Sequence, residues 1–408
     1  MKSLLILDMS FTLNMFKERQ LEQALESRKL DGYFNHVISV HPLAGLFEVD
    51  DDSYGKPEII KLDDSHMFVE GKIKVNRFLR LLPPVNLFFA QIRLVKLLIK
   101  MCKDVNVDVI RIGDPYYLGL MGWFLSYVLN VPLAIRVCFN YDEVYRTTGK
   151  AVFPRLIGFR FIEKLIEKFV FPRCDLVAGA NKNNLDYAIS NGADPSKGVI
   201  FRYGNLIYPL HFSEPDTRGG YQHLFSELGI NGNCLATVSR LEEVKQPKQN
   251  ILVVKKLIDE GYDINFVFIG DGSMKSKLQN MAEEIGIKDR IYFAGNRTQE
   301  WIAQILPGMR LVLSPHMGRG LTEACLAGVP IVAYDYDWQG EIIHSGKTGE
   351  LVPDGDWTEM ALRAAELLNN PEKACQLGNN ARSLALKMMS PEKLKSFEIS
   401  SYDSLLNK

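Results

Sequence analysis

Short apolar runs alternate with stretches of helical periodicity along most of the chain. In the first half the runs lie at Leu4–Leu7, His36–Val40, Val107–Ile112, Leu133–Val137, Asp175–Ala180 and Gly198–Tyr203. Helical spacing of apolar residues separates most of them, as over Phe16–Lys29. Apolar strands alternating with helices predict an α/β architecture on a parallel sheet. Around Glu214–Gly220 the chain turns polar and glycine-rich and reads as a linker. The pattern then restarts. Strands are expected at Cys234–Ser239, Ile264–Gly270, Arg290–Gly295, Arg310–Pro315 and Pro330–Asp335, the first four each followed by a helix. Ser390-Pro391-Glu392 is a helix entry that opens a last helix. The expected organisation is a domain over 1–212, a second over 213–389 and a helix over 390–408. Two such units place a ligand site in the cleft between them, at the carboxyl ends of strands.

One apolar stretch is long enough to cross a bilayer: Pro115–Ile135, 21 residues without a charge. Gly119, Gly122 and Asn130 interrupt it and Pro132 breaks it, so it predicts a buried helix followed by a core strand. The first apolar run ends at Asp8 and reads as a strand rather than a signal peptide. A hydrophobic content of 47% with 24% charged residues is that of a soluble globular protein, and 408 residues exceed one ordinary core. The six cysteines show no paired short spacing, which predicts reduced thiols in a cytoplasmic protein and neither a disulfide frame nor a zinc site. The seven histidines lack metal spacing, and no metal site is expected.

A net charge of −1 gives no reason to expect nucleic acid as a partner. The charge is uneven, however. Gly71–Lys103 holds eight basic residues and no acidic one, and Tyr145–Arg173 holds seven basic and two acidic. Within the helix expected over Val85–Lys103, Arg93, Lys96, Lys100 and Lys103 form one basic stripe. Phe88, Ile92, Val95, Ile99 and Cys102 form an apolar stripe expected to pack on the sheet. An ordinary amphipathic helix explains the apolar stripe but not the missing acids. A basic, aromatic surface suits an anionic membrane surface or a lipid-diphosphate acceptor, and Gly149–Phe169 is a second candidate face.

Candidate chemistry gathers in the second half. The strand ending at Ser239 leads into Arg240, with Lys245 five residues later. A planar fork and a point charge together suit a diphosphate, though a solvated loop edge also carries such cations. Gly318 and Gly320 flank Arg319 at the start of a helix, where backbone N–H groups and the helix dipole attract anions. Glu323, in the first turn, either complements the dipole or accepts hydrogen bonds from a vicinal diol. Gly270-Asp271-Gly272 reads as a strand-to-helix turn. Trp338 reads either as the wall of a sugar pocket or as packing.

These pieces resemble the retaining glycosyltransferases of family 4, which adopt the GT-B fold. Val238–Gln246 ("VSRLEEVKQ") resembles the element that binds the donor diphosphate, and Phe266–Leu278 the Gly-Asp-Gly turn and helix. Arg290–Asn296 resembles the strand whose following loop meets the nucleotide base. Gly320–Asp335 and Gln339–Asp356 resemble the Glu-Ala…Gly-Val-Pro segment and the Gly…Gly-Asp ending. The likeness covers 235–368 well; in the first half only the layout and Val199–Asn205 share it.

The resemblance implies two Rossmann-like domains facing each other across a cleft, with the C-terminal helix packing back on the first. It implies that Arg240 and Lys245 hold the donor diphosphate and serve catalysis. Glu323 would bind the ribose, the backbone of Gly318, Arg319, Gly320, Leu321 and Thr322 would meet the phosphates or sugar, and Asn296 would lie near the base. The implied co-substrate is a UDP or GDP sugar with no further cofactor. The implied acceptor is a glycan or lipid-linked glycan, met in the cytoplasm or at the inner face of a membrane. Pro315 stands where the family's first glutamate would, and His316 is the nearest polar replacement. The first loop lacks the family's glycines, leaving Ser10 or Thr12. Cys138 replaces a frequent histidine, with Asn140 and Asp142 just beyond.

The implied reaction is retaining, with front-face attack by the acceptor. The leaving diphosphate would be stabilised by Arg240, Lys245 and the helix start rather than by Mg²⁺. Three other readings stay open. Asp335-Tyr336-Asp337 fits the Asp-x-Asp of metal-dependent GT-A enzymes. A GT-B-shaped partner subunit that has lost catalysis fits Pro315. A nucleotide-sugar epimerase fits the two-domain scaffold.

Overall fold

The computed structural model describes residues 2–18, 21–47, 54–152 and 157–407. The chain divides into two compact units, Met1–Leu206 with Pro391–Lys408, and Ile207–Ser390. The division falls at 206/207 where the sequence pattern placed it at 212/213, and the C-terminal helix belongs with the first unit.

Unit 1 carries β1 (Lys2–Leu7), β2 (Phe34–His41), β3 (Glu58–Lys61), β4 (His66–Glu70), β5 (Val109–Ile112), β6 (Leu133–Val137), β7 (Leu176–Gly179) and β8 (Gly198–Ile200). They form one sheet in the order β3-β4-β2-β1-β5-β6-β7-β8, parallel except for the β3–β4 pair. Alternate residues of β1 enter opposite cores. Leu5 and Leu7 pack with Leu94, Leu98 and Leu125, while Leu4 and Ile6 pack with Tyr402 and Leu405 of the helix Pro391–Leu406. A parallel sheet covered on both faces buries both sets. The hairpin β3–β4 was not foreseen, because Glu58–Lys61 is a largely exposed edge strand with a charge at each end.

Two expectations for this unit are corrected. The helix expected over Phe16–Lys29 is broken into Leu13–Glu18, Glu22–Glu26 and a 3₁₀ turn at Ser27–Lys29; residues 19–20 lie outside the described ones. Each helical piece buries its own side chains, and Arg28 turns inward to Asp8 at 2.5 Å. The helix Pro83–Asp104 buries only part of the stripe read from its sequence, Cys102 fully and Val95 and Ile99 in part. It buries Asn86, Ala90, Leu94, Leu98, Met101 and Cys102, and leaves Phe88 62% exposed. Asn86 fixes this rotation, its Oδ1 accepting from Val75 N (2.5 Å) and Asn76 N (3.2 Å) and its Nδ2 donating to Asn76 O (3.0 Å). The uncharged stretch 115–135 becomes the helix Tyr117–Leu129 and β6. Among the described residues no helix is long and apolar enough to cross a membrane. Residues 153–156 of the second basic face, Gly149–Phe169, lie outside the described residues.

Unit 2 carries β9 (Cys234–Val238), β10 (Asn265–Ile269), β11 (Ile291–Gly295), β12 (Leu311–Ser314), β13 (Ile331–Asp335) and β14 (Glu350–Pro353). All run parallel, in the order β11-β10-β9-β12-β13-β14. The expected linker at 214–220 stays largely at the surface, but one residue ties it into this unit. Arg218, 2% exposed, donates to the carbonyls of His211 (2.6 Å), Leu326 (2.7 Å), Ser213 (3.0 Å) and Ala303 (3.4 Å). A guanidinium has enough donors to satisfy several chain ends at once, and composition alone does not show that.

Candidate functional site

Loops that leave neighbouring strands on either side of a reversal in strand order diverge and open a crevice at the carboxyl edge of the sheet. In unit 2 the reversal falls between β9 and β12. Arg240 follows β9 and is exposed. Its loop is clamped by the Gly270-Asp271-Gly272 turn. Leu241 N donates to Asp271 O at 3.0 Å and Met274 N to Leu241 O at 2.9 Å. Gly270 sits at φ +135°, and a side chain there would meet Ser239 O at 2.1 Å. The turn therefore positions the strand end that carries Arg240.

The loop after β12 is held from below by Gln339, which is fully buried. Its Nε2 donates to Tyr334 O (3.0 Å), Pro315 O (3.1 Å) and Ser314 O (3.2 Å), and its Oε1 accepts from Met317 N (3.1 Å) and from Ser314 Oγ. This fixes the entry to the helix Arg319–Leu326. Gly318 is its N-cap and offers no side-chain cap, so the first turn presents N–H groups without intrahelical partners. At the other end Arg218 and Arg382 both donate to Leu326 O, placing cations at the negative pole of the helix.

The two glycines serve different purposes. A Cβ on Gly318 would meet nothing within 4 Å, so that side is open. A Cβ on Gly320 would meet Val238 O at 2.4 Å, so Gly320 is there to let the helix lie against β9. Leu321 and Thr322 are buried, and of this segment only backbone and Arg319 face outward.

Glu323 is 1% exposed. Burial pushes its carboxyl above the usual range, and the Arg319 guanidinium pulls it back. Its Oε1 accepts from Arg319 Nε at 2.9 Å. Gln299, with its amide oriented to satisfy both neighbours, donates to the same oxygen at 2.8 Å and accepts from Arg319 Nη2 at 2.9 Å. Glu323 is thus a fixed, paired carboxylate, and Gln299 is a partner that sequence reading missed.

Lys245 is drawn into a second cluster. Its Nζ lies 3.5 Å from His316 Nε2, and that nitrogen lies 3.4 Å from Asp337 Oδ2. His316 Nδ1 meets Val244 O at 2.8 Å, and since a carbonyl only accepts, Nδ1 carries the proton. In the neutral ring Nε2 is then an acceptor for Lys245. Burial lowers the Lys245 ammonium to about 8, with Asp337 resisting and Arg240 assisting. Asp335 and Asp337 part company. Asp335 is exposed, while Asp337, in a left-handed conformation at φ +54°, turns toward His316. Among the described residues no group of three or more His, Cys, Asp or Glu side chains could hold a metal ion. Trp338 is a buried core residue of this unit, packed among apolar side chains. Asn296 is exposed just past β11.

In unit 1 the reversal falls between β1 and β5. Ser10 is exposed at the β1 exit and its N–H donates to Asp8 Oδ1 at 2.8 Å. Thr12 is buried, and Met15 N donates to its Oγ1 at 3.4 Å, so it starts a helix. Asp114, past β5, was not singled out from the sequence. Its carboxyl is buried and pushed up to about 7 by that burial. Asp142, a catalytic candidate from the sequence, is already paired. Its oxygens already accept from Arg160 (2.7 Å), Lys164 (2.6 and 2.7 Å) and Asn191 (3.2 Å). Burial alone would raise its pKa, but these donors hold it below the usual carboxylate range. Asn140 is spent capping the helix Tyr141–Thr148.

Residues 224–384 match the model of the family "Glycosyl transferases group 1". That segment holds every strand of unit 2 and, Arg218 apart, all the unit 2 residues just described. Among curated relatives, this chain is 28% identical over 178 residues to an alpha-D-kanosaminyltransferase of Streptomyces kanamyceticus, covering 42% of this chain and 46% of the relative. It is 28% identical over 218 residues to the N-acetyl-alpha-D-glucosaminyl L-malate synthase of Bacillus anthracis, covering 52% and 55%. The chain thus spans about half the length of the curated relatives it matches. Among solved structures, Anabaena HepE in complex with UDP and glucose superimposes with a TM-score of 0.72 over 99% of this chain and 100% of that one, at 16% identity. This chain has the GT-B fold.

Proposed function

We propose that this protein is a glycosyltransferase that moves a sugar from a nucleoside diphosphate to a hydroxyl of a glycan or lipid-linked glycan, with retention at the anomeric carbon. The observation that carries the reading is the gathering of Arg240, Lys245 and the uncapped start of helix Arg319–Leu326 at the β9/β12 reversal, with Glu323 fixed one turn further along that helix rather than in its first turn. Cations and N–H groups of this kind stabilise the charge that develops on a departing diphosphate, so Mg²⁺ is not required. Glu323 Oε1 is held by Arg319 and Gln299, which orients the carboxylate toward ribose hydroxyls. His316, beside Lys245 and Asp337, stands in for the glutamate replaced by Pro315 and meets the sugar. Asn296 lies where the base would rest. The acceptor is met at the carboxyl edge of unit 1 around Ser10 and Asp114. The protein works in the cytoplasm, at the inner face of a membrane.

UDP is the nucleotide of the Anabaena structure, so UDP sugars head a turnover panel that also holds GDP, ADP and dTDP sugars. The expected result is transfer or slow hydrolysis of one donor class, unaffected by EDTA, with an α-donor giving an α-product. Loss of activity in EDTA would point instead to the metal-dependent Asp-x-Asp reading. Nucleotide binding without any turnover would point to a partner subunit, and epimerised donor without acceptor to an epimerase.

A further inference from the structure

We infer that one face of unit 1 docks on an anionic bilayer surface. The face consists of the segment 77–82 and the helices Pro83–Asp104, Tyr117–Leu129 and Arg160–Val170. The middle helix packs against both of the others, so the three form a continuous layer. Each turns large apolar side chains into solvent. Phe78 and Leu81 are 94% and 92% exposed, and Leu82, Val85, Phe88 and Phe89 follow them onto the first turns of the first helix. The second helix exposes Leu120, Phe124, Tyr127 and Val128. Phe159, Phe161 and Leu165 are exposed at and just before the start of the third. Contiguous apolar surface of this extent is uncommon on soluble proteins and marks something that covers it.

Charge identifies the occupant. On the first helix Arg93, Lys96, Lys100 and Lys103 are exposed and continue, at spacings of three and four, the face that Val85, Phe88 and Phe89 begin. Arg77 and Arg80 are exposed among the leading aromatic and leucine side chains. Lys168 and Arg173 are exposed on the far side, with Arg173 over the Phe169 ring at 3.9 Å. The acidic residues of the third helix add no surface charge, since Glu163 and Glu167 are fully buried and bind Arg160 at 3.0 and 2.6 Å. A second copy of the same face would bring like charges together across a two-fold axis. A layer of acidic headgroups over an apolar interior complements both features. Aromatic and leucine side chains enter the headgroup boundary while Lys and Arg stay at phosphate level. No described helix can span the bilayer, so the contact is interfacial.

The inference stands apart from the reaction, because lipid binding is read without turnover. Sedimentation with vesicles of phosphatidylcholine plus phosphatidylglycerol, against phosphatidylcholine alone, tests it. Expected is binding to the anionic vesicles only, weakening with salt. The exposed-site variants Leu81→Asp/Phe88→Asp and Arg93→Gln/Lys96→Gln should each lower the partition coefficient by about tenfold or more at an unchanged melting temperature. Absence of binding to either vesicle, or equal binding to both, would overturn the inference. So would a lipid-free dimer that Leu81→Asp/Phe88→Asp dissociates, which would assign the face to a second copy.

Discussion

The two units use the same architecture and differ in where they spend their polar and apolar side chains. Among the described residues, unit 2 leaves only Tyr208 and Leu362 as large apolar side chains in solvent, whereas unit 1 leaves Phe78, Leu81, Phe88 and many others. At the carboxyl edge the contrast reverses. In unit 2, Arg240 is exposed, Lys245 is strained by burial and a helix start is uncapped. In unit 1 the comparable groups are already consumed. Asp8 pairs with Arg28, Arg111 with Glu398 at 3.2 Å, and Asp142 with Arg160 and Lys164. A small charged ligand with fixed geometry needs a few unsatisfied groups in one place, and unit 2 supplies them. A large or lipid-borne partner needs area, and unit 1 supplies that.

Several substitutions would break or sharpen this contrast. The largest expected effect is at Gln339. Gln339→Leu removes the one amide that serves three carbonyls, a hydroxyl and an N–H, and should destabilise unit 2 by about 4 kcal/mol in denaturant melts. An unshifted melt would mean that the loop before Gly318 is held by something else. Next is Gly320→Ala, whose Cβ overlaps Val238 O, at a cost of about 2 kcal/mol. If it instead lowered donor affinity with no loss of stability, the glycine would serve phosphate approach rather than packing.

Lys245 gives a pH signature. Its folded-state value of about 8 lies below the usual 10.5, so the free enzyme loses this cation above pH 8. The kcat/KM for donor should then fall about tenfold per pH unit above 8, and Lys245→Arg should move that limb out of range. A flat profile to pH 10 would remove Lys245 from donor binding. The smallest effect is at Asp142. Asp142→Asn should cost about 1 kcal/mol, discounted for its partial exposure, and leave turnover unchanged. Collapse of turnover with an intact melt would restore it as a catalytic acid and erase the contrast between the units.

The contrast also explains what the sequence made legible. Unit 2's strands, and the places of Arg240 at a strand end and Gly318 at a helix start, could be read because local rules dictate them. Asp337 and Gln339 could not. Their roles depend on a left-handed turn and on chain segments that meet only after folding, Asp337 at His316 and Gln339 under Ser314–Met317. In unit 1 the apolar periodicity of Pro83–Asp104 was visible but its rotation was not. Phe88 and Leu94 are equally apolar, and Asn86, anchored to Val75 and Asn76, decides which of them faces the core. The pairing of Asp142 was not legible either, because a carboxylate near a strand end looks the same in sequence whether free or paired. Only the Arg160 and Lys164 positions show it paired.

The central claim is that the carboxyl edge of unit 2 holds a nucleoside diphosphate through Arg240 and the neighbouring helix start. Titration calorimetry of UDP and GDP against the wild-type protein and Arg240→Ala tests it most directly. The account predicts a measurable Kd for one of the two nucleotides, weakened by about tenfold or more in Arg240→Ala while the melting temperature without ligand stays the same. Equal affinity in the two proteins would contradict it.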